Sequence, residues 1–281
     1  MAIDPVGSNN IYSVQQMGTP VPYNQLGVQG INTQPIAIPD GIILRKKIAK
    51  EYGIEVVDSD AKFSGAEIAI IADTLEDIKK KKRQHLMGVR QIIKNREQRI
   101  KLLNELRIDA GGAYEADSKR VYIFDNAKPE DIPEILVHEV GHAVSHFNLK
   151  FKEFMEFVKG SGYNMVEFRK FFVPGNKLHQ IGLKKIEIDK NRWDDVLDRF
   201  SMKTLAKNQD IFGEMILELK RSKKHPWDEN PLEAFAWAYE WYFNKNPEFQ
   251  KRAYKLAERG DSTLLNDYDF MEHSVFTGGN A

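Results

Sequence analysis

The chain has no cysteine in 281 residues, which excludes disulfide staples, thiolate metal sites and a cysteine nucleophile. Histidine and carboxylate are the side chains left to hold a metal. Net charge is also missing: 41 Lys and Arg balance 41 Asp and Glu, so no overall positive field gathers phosphates and nucleic acid is not expected as a partner. No stretch approaches the roughly 18 to 20 apolar residues of a membrane span, the most apolar short run being Ile68 to Ala72, so none is expected. The first residues have neither the basic nor the apolar region of a secretory signal. The expected location is cytoplasmic by default, or outside the cell by a signal-independent route.

Charge is scarcest at the N-terminus. Residues 1–39 carry one charged side chain, Asp4, among four Asn, five Gln, five Pro and four Gly, and the first basic residue is Arg45. Such a segment cannot bury enough apolar area to offset its ordering entropy, so a disordered polar tail is expected over 1–39, either a solvated terminus or a docking or export segment. The remainder of the chain has ordinary globular composition, and a single folded body is expected over 40–275.

Within that body, Ile43, Ile48 and Tyr52 suit an amphipathic helix that Gly53 stops, and Ile54 to Val57 suits a short strand. Gly65 to Leu106 carries apolar residues at mixed three-and-four spacing, which predicts two helices broken near Met87–Gly88. The five basic residues from Lys79 to Arg83 are expected as a solvated helix face. After Leu106 the period shortens to two. Arg107 to Ala110 and Arg120 to Phe124 read as strands, with Gly111–Gly112 as turn residues. Pro129, Glu130 and Asp131 then form a helix-start signal.

The helix opened there contains His138, Glu139 and His142. A four-residue step places the two imidazoles on one face, about 6 Å apart along the axis, where both reach one tetrahedral ion. Glu139 lies about 100° around, able to reach a water on the metal without ligating it. This is the His-Glu-x-x-His arrangement of zinc peptidases, in which the ion lowers the pKa of its water to about 7 and the carboxylate acts as general base and acid. A chain of this length and composition holds the pattern by chance about 0.01 times. His146 continues the same face, but a straight helix carries it about another 6 Å away, so it is expected to support the site or to be exposed.

A hydrolytic zinc site needs a third protein ligand and an open position. The segment from Asn230 to Phe243 supplies candidates: Asn230–Pro231 starts a helix of alanines and aromatics, on which Glu233 and Glu240 lie seven apart on one face. Carboxylates in an apolar helix are costly unless something positive receives them. Glu233 is favoured, with Glu240 the rival.

The pairing of His-Glu-Val-Gly-His-Ala-Val, from His138 to Val144, with Asn-Pro-Leu-Glu-Ala-Phe-Ala-x-Ala-Tyr, from Asn230 to Tyr239, resembles the catalytic domain of the anthrax toxin lethal factor family, which includes the Pro-Pro endopeptidases. The likeness runs from about Gly65 to Phe243 and extends to Gly111-Gly112-Ala113-Tyr114 and the strand from Arg120. It implies His138, His142 and Glu233 as metal ligands, Glu139 as the catalytic base, one zinc per chain and a peptide bound along the sheet edge near Val121 to Phe124. The chain departs from the family in three places. Trp237 stands where a second Glu commonly follows the ligand by four residues. Pro226 stands where a Tyr precedes it by seven and stabilises the oxyanion, leaving His225 or Tyr163 as candidate donors. The 91 positions from His142 to Glu233 imply an inserted helical subdomain over 149–225, in which the aromatics from Phe151 to Phe172 are expected in a core.

The expectation is therefore an α+β, mainly helical zincin-like metallopeptidase with a small β-sheet, hydrolysing peptide bonds of a peptide or protein substrate. The alternatives are a catalytically silent zinc-binding module, a toxin-accessory or interaction protein, and a structural protein whose polar tail is its functional part.

Overall fold

Four short segments, each with at least one β-branched or aromatic residue, pair into one mixed sheet: β1 (Glu55–Asp58), β2 (Gln91–Asn95), β3 (Gly112–Glu115) and β4 (Arg120–Phe124). In this computed structural model, which describes residues 41–106, 109–163 and 230–278, the strand order is β1-β2-β4-β3. β1, β2 and β4 are parallel, with Val56 beside Ile92 and Ile92 beside Val121, whereas β3 runs antiparallel to β4, with Ala113 beside Tyr122. The polar tail, most of the expected insert, and His225 and Pro226 lie outside the described residues.

Helices supply most of the remainder, giving an α+β architecture: α1 (Gly41–Tyr52), α2 (Gly65–Lys82), α3 (Glu97–Leu106), α4 (Ile132–Phe147), α5 (Phe151–Gly160), α6 (Pro231–Asn244), α7 (Asn246–Ala257) and α8 (Thr263–Phe270). None is long and apolar enough to cross a membrane. The sequence explains several boundaries. Gly53, at φ +70°, ends α1 in a conformation that only glycine adopts cheaply. Ser64 and Glu67 form a reciprocal capping box at the start of α2. The Asn230 side chain accepts from the backbone N–H of Leu232 at 3.0 Å and of Glu233 at 3.1 Å, opening α6.

The main core lies on one face of the sheet. There Val121 and Ile123 of β4 meet Ile68, Ile71 and Leu75 of α2 and Leu136, Val140 and Val144 of α4. Alternation along β4 sends Phe124 to the opposite face, where with Ala113 it joins Leu102 of α3 and Ala110 in a smaller cluster. Phe151, Phe154 and Phe157 of α5 are buried, Phe157 meeting Phe235 of α6 and Phe270 of α8 edge-on. Those aromatics are core, as expected; Phe168, Phe171 and Phe172 lie outside the described residues.

Three expectations require correction. The apolar residues after Gly88 form not one helix but strand β2 followed by helix α3. β2 is an interior strand with Ile92 and Ile93 both buried, so its consecutive isoleucines show no alternation, and the step to Ile100 mimics a helical repeat. Of the strand expected at Arg107 to Ala110, Arg107 and Ile108 lie outside the described residues, Asp109 and Ala110 belong to no strand, and Gly112 opens β3 rather than forming a turn. Past Gly260 the chain forms α8 and then a π-helical turn, Met271–Phe276. The basic run is only partly a solvated face. Lys79 pairs with Glu51, Lys81 covers the Phe243 ring at 4.0 Å, and Lys82 donates to the carbonyl of Val275 at 2.8 Å.

Candidate metal centre

α4 is buried on almost every side, because its apolar residues occupy positions all around it and its polar side chains point where α6 and the sheet meet it. His138, Glu139 and His142 are each 0% exposed. α6 crosses α4 closely because position 141 is glycine: a Cβ there would lie 3.0 Å from the Cα of Ala236 and 3.2 Å from the side chain of Tyr239. That contact delivers Glu233, in the first turn of α6, to both histidines. Its Oε2 is 3.3 Å from His138 Nε2 and its Oε1 is 3.5 Å from His142 Nε2. One ligand atom from each of the three lies within 4.8 Å of the others. Two imidazoles and one carboxylate are the donor set of many hydrolytic zinc sites.

Electrostatics bind the group together. Burial disfavours a charged imidazole at His138, but the carboxylates of Glu233 and Glu240 outweigh it and raise its pKa well above the ordinary value. Burial likewise opposes charge on Glu233, yet the imidazoles of His142 and His138 hold its carboxyl at about 2. Glu233 thus presents a fixed negative charge, placed at a helix N-terminus where the dipole favours it. Both ring nitrogens of His142 are buried and make no hydrogen bond among the described residues. Orphaned nitrogens of that kind cost about 1–3 kcal/mol unless something receives them, and a cation between His138, His142 and Glu233 fits.

Glu139 reaches the same site from the next position on α4, and its charge acts on His138. β3 approaches it through Gly112, where a Cβ would lie 3.2 Å from Glu139 Oε1, 2.8 Å from the Tyr122 carbonyl oxygen and 2.6 Å from Ile135. His146 stays outside the cluster but is buried rather than exposed. Its Nδ1 donates to the His142 carbonyl at 2.8 Å, and burial lowers its pKa to about 4. Tyr163 is buried in the main core.

Glu240 is 1% exposed and faces the opposite edge of the His138 ring, with Oε2 3.4 Å from Nδ1. Trp237 meets that ring edge-on at 5.0 Å between centroids. Sequence reasoning singled out Glu240 only as a rival ligand. The seven-residue step put it on the right face, but whether it met the front or the back of an imidazole depended on the helix crossing. Asp269, Glu272 and His273 also bring three ligand atoms within 4.8 Å, on half-buried and exposed side chains near the end of α8.

Comparison with protein-family models, with curated proteins and with solved structures finds no match to this chain.

Proposed function

We propose that this protein is a zinc-dependent endopeptidase with a zincin-like fold, similar to the catalytic domain of the lethal factor family. The observation that carries the reading is the convergence of His138 and His142 from α4 with Glu233 from α6, next to the buried carboxylate of Glu139. Zinc held by His138, His142 and Glu233 would supply Lewis acidity, polarising a carbonyl and bringing the pKa of a water to about 7.

The chain's own groups account for the rest. Glu139 takes the proton of the attacking water and passes it to the leaving amine. β3, which pairs with β4 alone among the described residues, is the strand beside which an extended substrate peptide would exchange backbone hydrogen bonds. β4 cannot serve this way, because β2 and β3 occupy both of its edges, so the edge named from the sequence moves by one strand.

Zinc per chain in the purified wild type, measured beside Glu233→Ala, tests the ligand set: one equivalent is expected in the first and little in the second. Glu139→Gln should keep its zinc and lose turnover on a peptide library. Proteolysis retained by that variant would remove Glu139 from its role. Zinc binding by a wild type that cleaves nothing in the library would favour a silent zinc-binding module.

A further inference from the structure

The family pattern places a supporting carboxylate one helical turn beyond the ligand, and this chain has Trp237 there. The structure brings another carboxylate to the first histidine from a full two turns away. His138 Nδ1 and Glu240 Oε2 are both buried, and neither makes a hydrogen bond among the described residues. They face each other at 3.4 Å, while Glu233 lies on the Nε2 side of the same ring at 3.3 Å. We propose that Glu240 is a positioning residue: it accepts the Nδ1 proton of His138, fixes the tautomer that leaves the Nε2 lone pair free, and aims that lone pair at the metal held with His142 and Glu233.

Three arguments support this role and set it against Glu240 as a ligand. Glu240 stands at the Nδ1 edge of the His138 ring and Glu233 at the Nε2 edge, so the ring lies between Glu240 and the group formed by His138, His142 and Glu233. A metal-binding imidazole ordinarily donates its second N–H to an acceptor, and the buried site offers Nδ1 no other acceptor among the described residues. Trp237, edge-on to the ring at 5.0 Å, limits its rotation, so orientation is set jointly by an aromatic wall and an acceptor. The separation of 3.4 Å exceeds a good N–H···O bond by a few tenths of an ångström. Among the described residues no such carboxylate stands at His142 Nδ1, so the support they give falls on one histidine of the pair.

The inference rests on the zinc reading above, and its test separates the two. Zinc affinity of the full-length protein is measured by competition with a chromophoric chelator for wild type, Glu240→Ala and Glu240→Gln, with far-UV circular dichroism of the zinc-free forms. Glu240→Ala should remain folded and bind zinc ~10- to 100-fold more weakly. Glu240→Gln, whose amide oxygen still accepts from Nδ1–H, should recover most of that loss, a rescue that a ligand carboxylate would not show. In the zinc-loaded wild type, nitrogen-15 NMR should place the proton of His138 on Nδ1. Equal affinity in all three proteins, or loss as complete in Glu240→Gln as in Glu240→Ala, overturns the positioning role. A wild type that binds no zinc overturns the functional reading and this inference together.

Discussion

Two glycines decide how closely the elements of the site approach. At Gly141 an added methyl meets the Cα of Ala236 at 3.0 Å, and backbone yields far less readily than a side chain. Gly141→Ala gains about 1 kcal/mol of helix propensity and loses about 1–3 kcal/mol to overpacking. Net destabilisation of about 1 kcal/mol is expected by thermal unfolding. Because the proposed ligands sit on both sides of that crossing, zinc affinity should fall with it; unchanged affinity would show that the two helices have slack. Gly112 makes a different demand. Its methyl would strike the Tyr122 carbonyl and press on Glu139, which is not among the proposed ligands. Gly112→Ala should therefore keep zinc content near one per chain while lowering turnover by up to ~100-fold, the scale at which a displaced catalytic group acts. Equal loss of zinc and turnover would count against that separation. At this scale the sequence was legible wherever chemistry fixes spacing. His138 and His142 share a face because a helix repeats every 3.6 residues, and no tertiary information is needed to say so.

The elements themselves are tied by a buried ion pair. Lys94 of β2 donates to Glu67 of α2 at 2.7 Å, with both side chains nearly excluded from solvent, while the same Glu67 accepts from the Ser64 backbone at 2.7 Å to close the capping box. Burial pushes the Glu67 carboxyl upward, and its bonds to Lys94 and Ser64 pull harder, so its pKa lies below the ordinary carboxylate value. On acidification the unfolded chain therefore takes up this proton first, so the pair's contribution is complete above the ordinary value of 4.5 and is lost as pH falls through the lower folded pKa. Lys94→Met strands a buried carboxylate and should cost about 3–5 kcal/mol in denaturant unfolding. Adding Glu67→Gln, which keeps the cap, should restore most of it. A double variant no more stable than Lys94→Met would place the cost in packing instead. The pair was not visible in the sequence, since residues 67 and 94 meet only because α2 returns the chain to lay β2 beside β1. The same topology hid β2: flanked on both sides, it shows two consecutive buried isoleucines in place of the alternation by which β4 was read.

Across the whole molecule, the C-terminal turn is bound back to the body at His85. Its Nε2 donates to the Val275 carbonyl at 3.2 Å and its Nδ1 accepts from the Tyr239 hydroxyl at 2.8 Å, so residues from three distant parts of the chain meet in one buried imidazole. Burial, with a small contribution from the nearby Lys82 charge, lowers its pKa from 6.5 to about 4. The unfolded chain binds this proton more readily, so the contribution to stability is complete above pH 6.5 and declines as pH falls from 6.5 toward about 4, by about 3 kcal/mol in total. His85→Gln, with a donor still within reach of Val275, should flatten that part of the pH–stability curve of the zinc-free protein relative to wild type. An identical slope in the two proteins would mean that His85 takes up its proton equally in the folded and unfolded states.

The sequence by itself determined the chemistry on offer: without cysteine, only histidine and carboxylate remain as metal donors, and the helical repeat sets His138, Glu139 and His142 in fixed relation along one helix. Local signals of the same kind, from the stop at Gly53 to the Asn230 cap, also set many element boundaries, because each depends on neighbouring backbone alone. Tertiary structure decided everything that depends on one element meeting another. It selected Glu233 to face the Nε2 edge of His138 and Glu240 to face its Nδ1 edge, put β3 rather than β4 at an edge of the sheet, and turned Lys82 of a basic run into an anchor for the C-terminal turn. The reason is geometric: helix periodicity assigns a side chain to a face, but what that face meets is set by the crossing of α4 and α6 at Gly141, a contact between residues nearly a hundred positions apart.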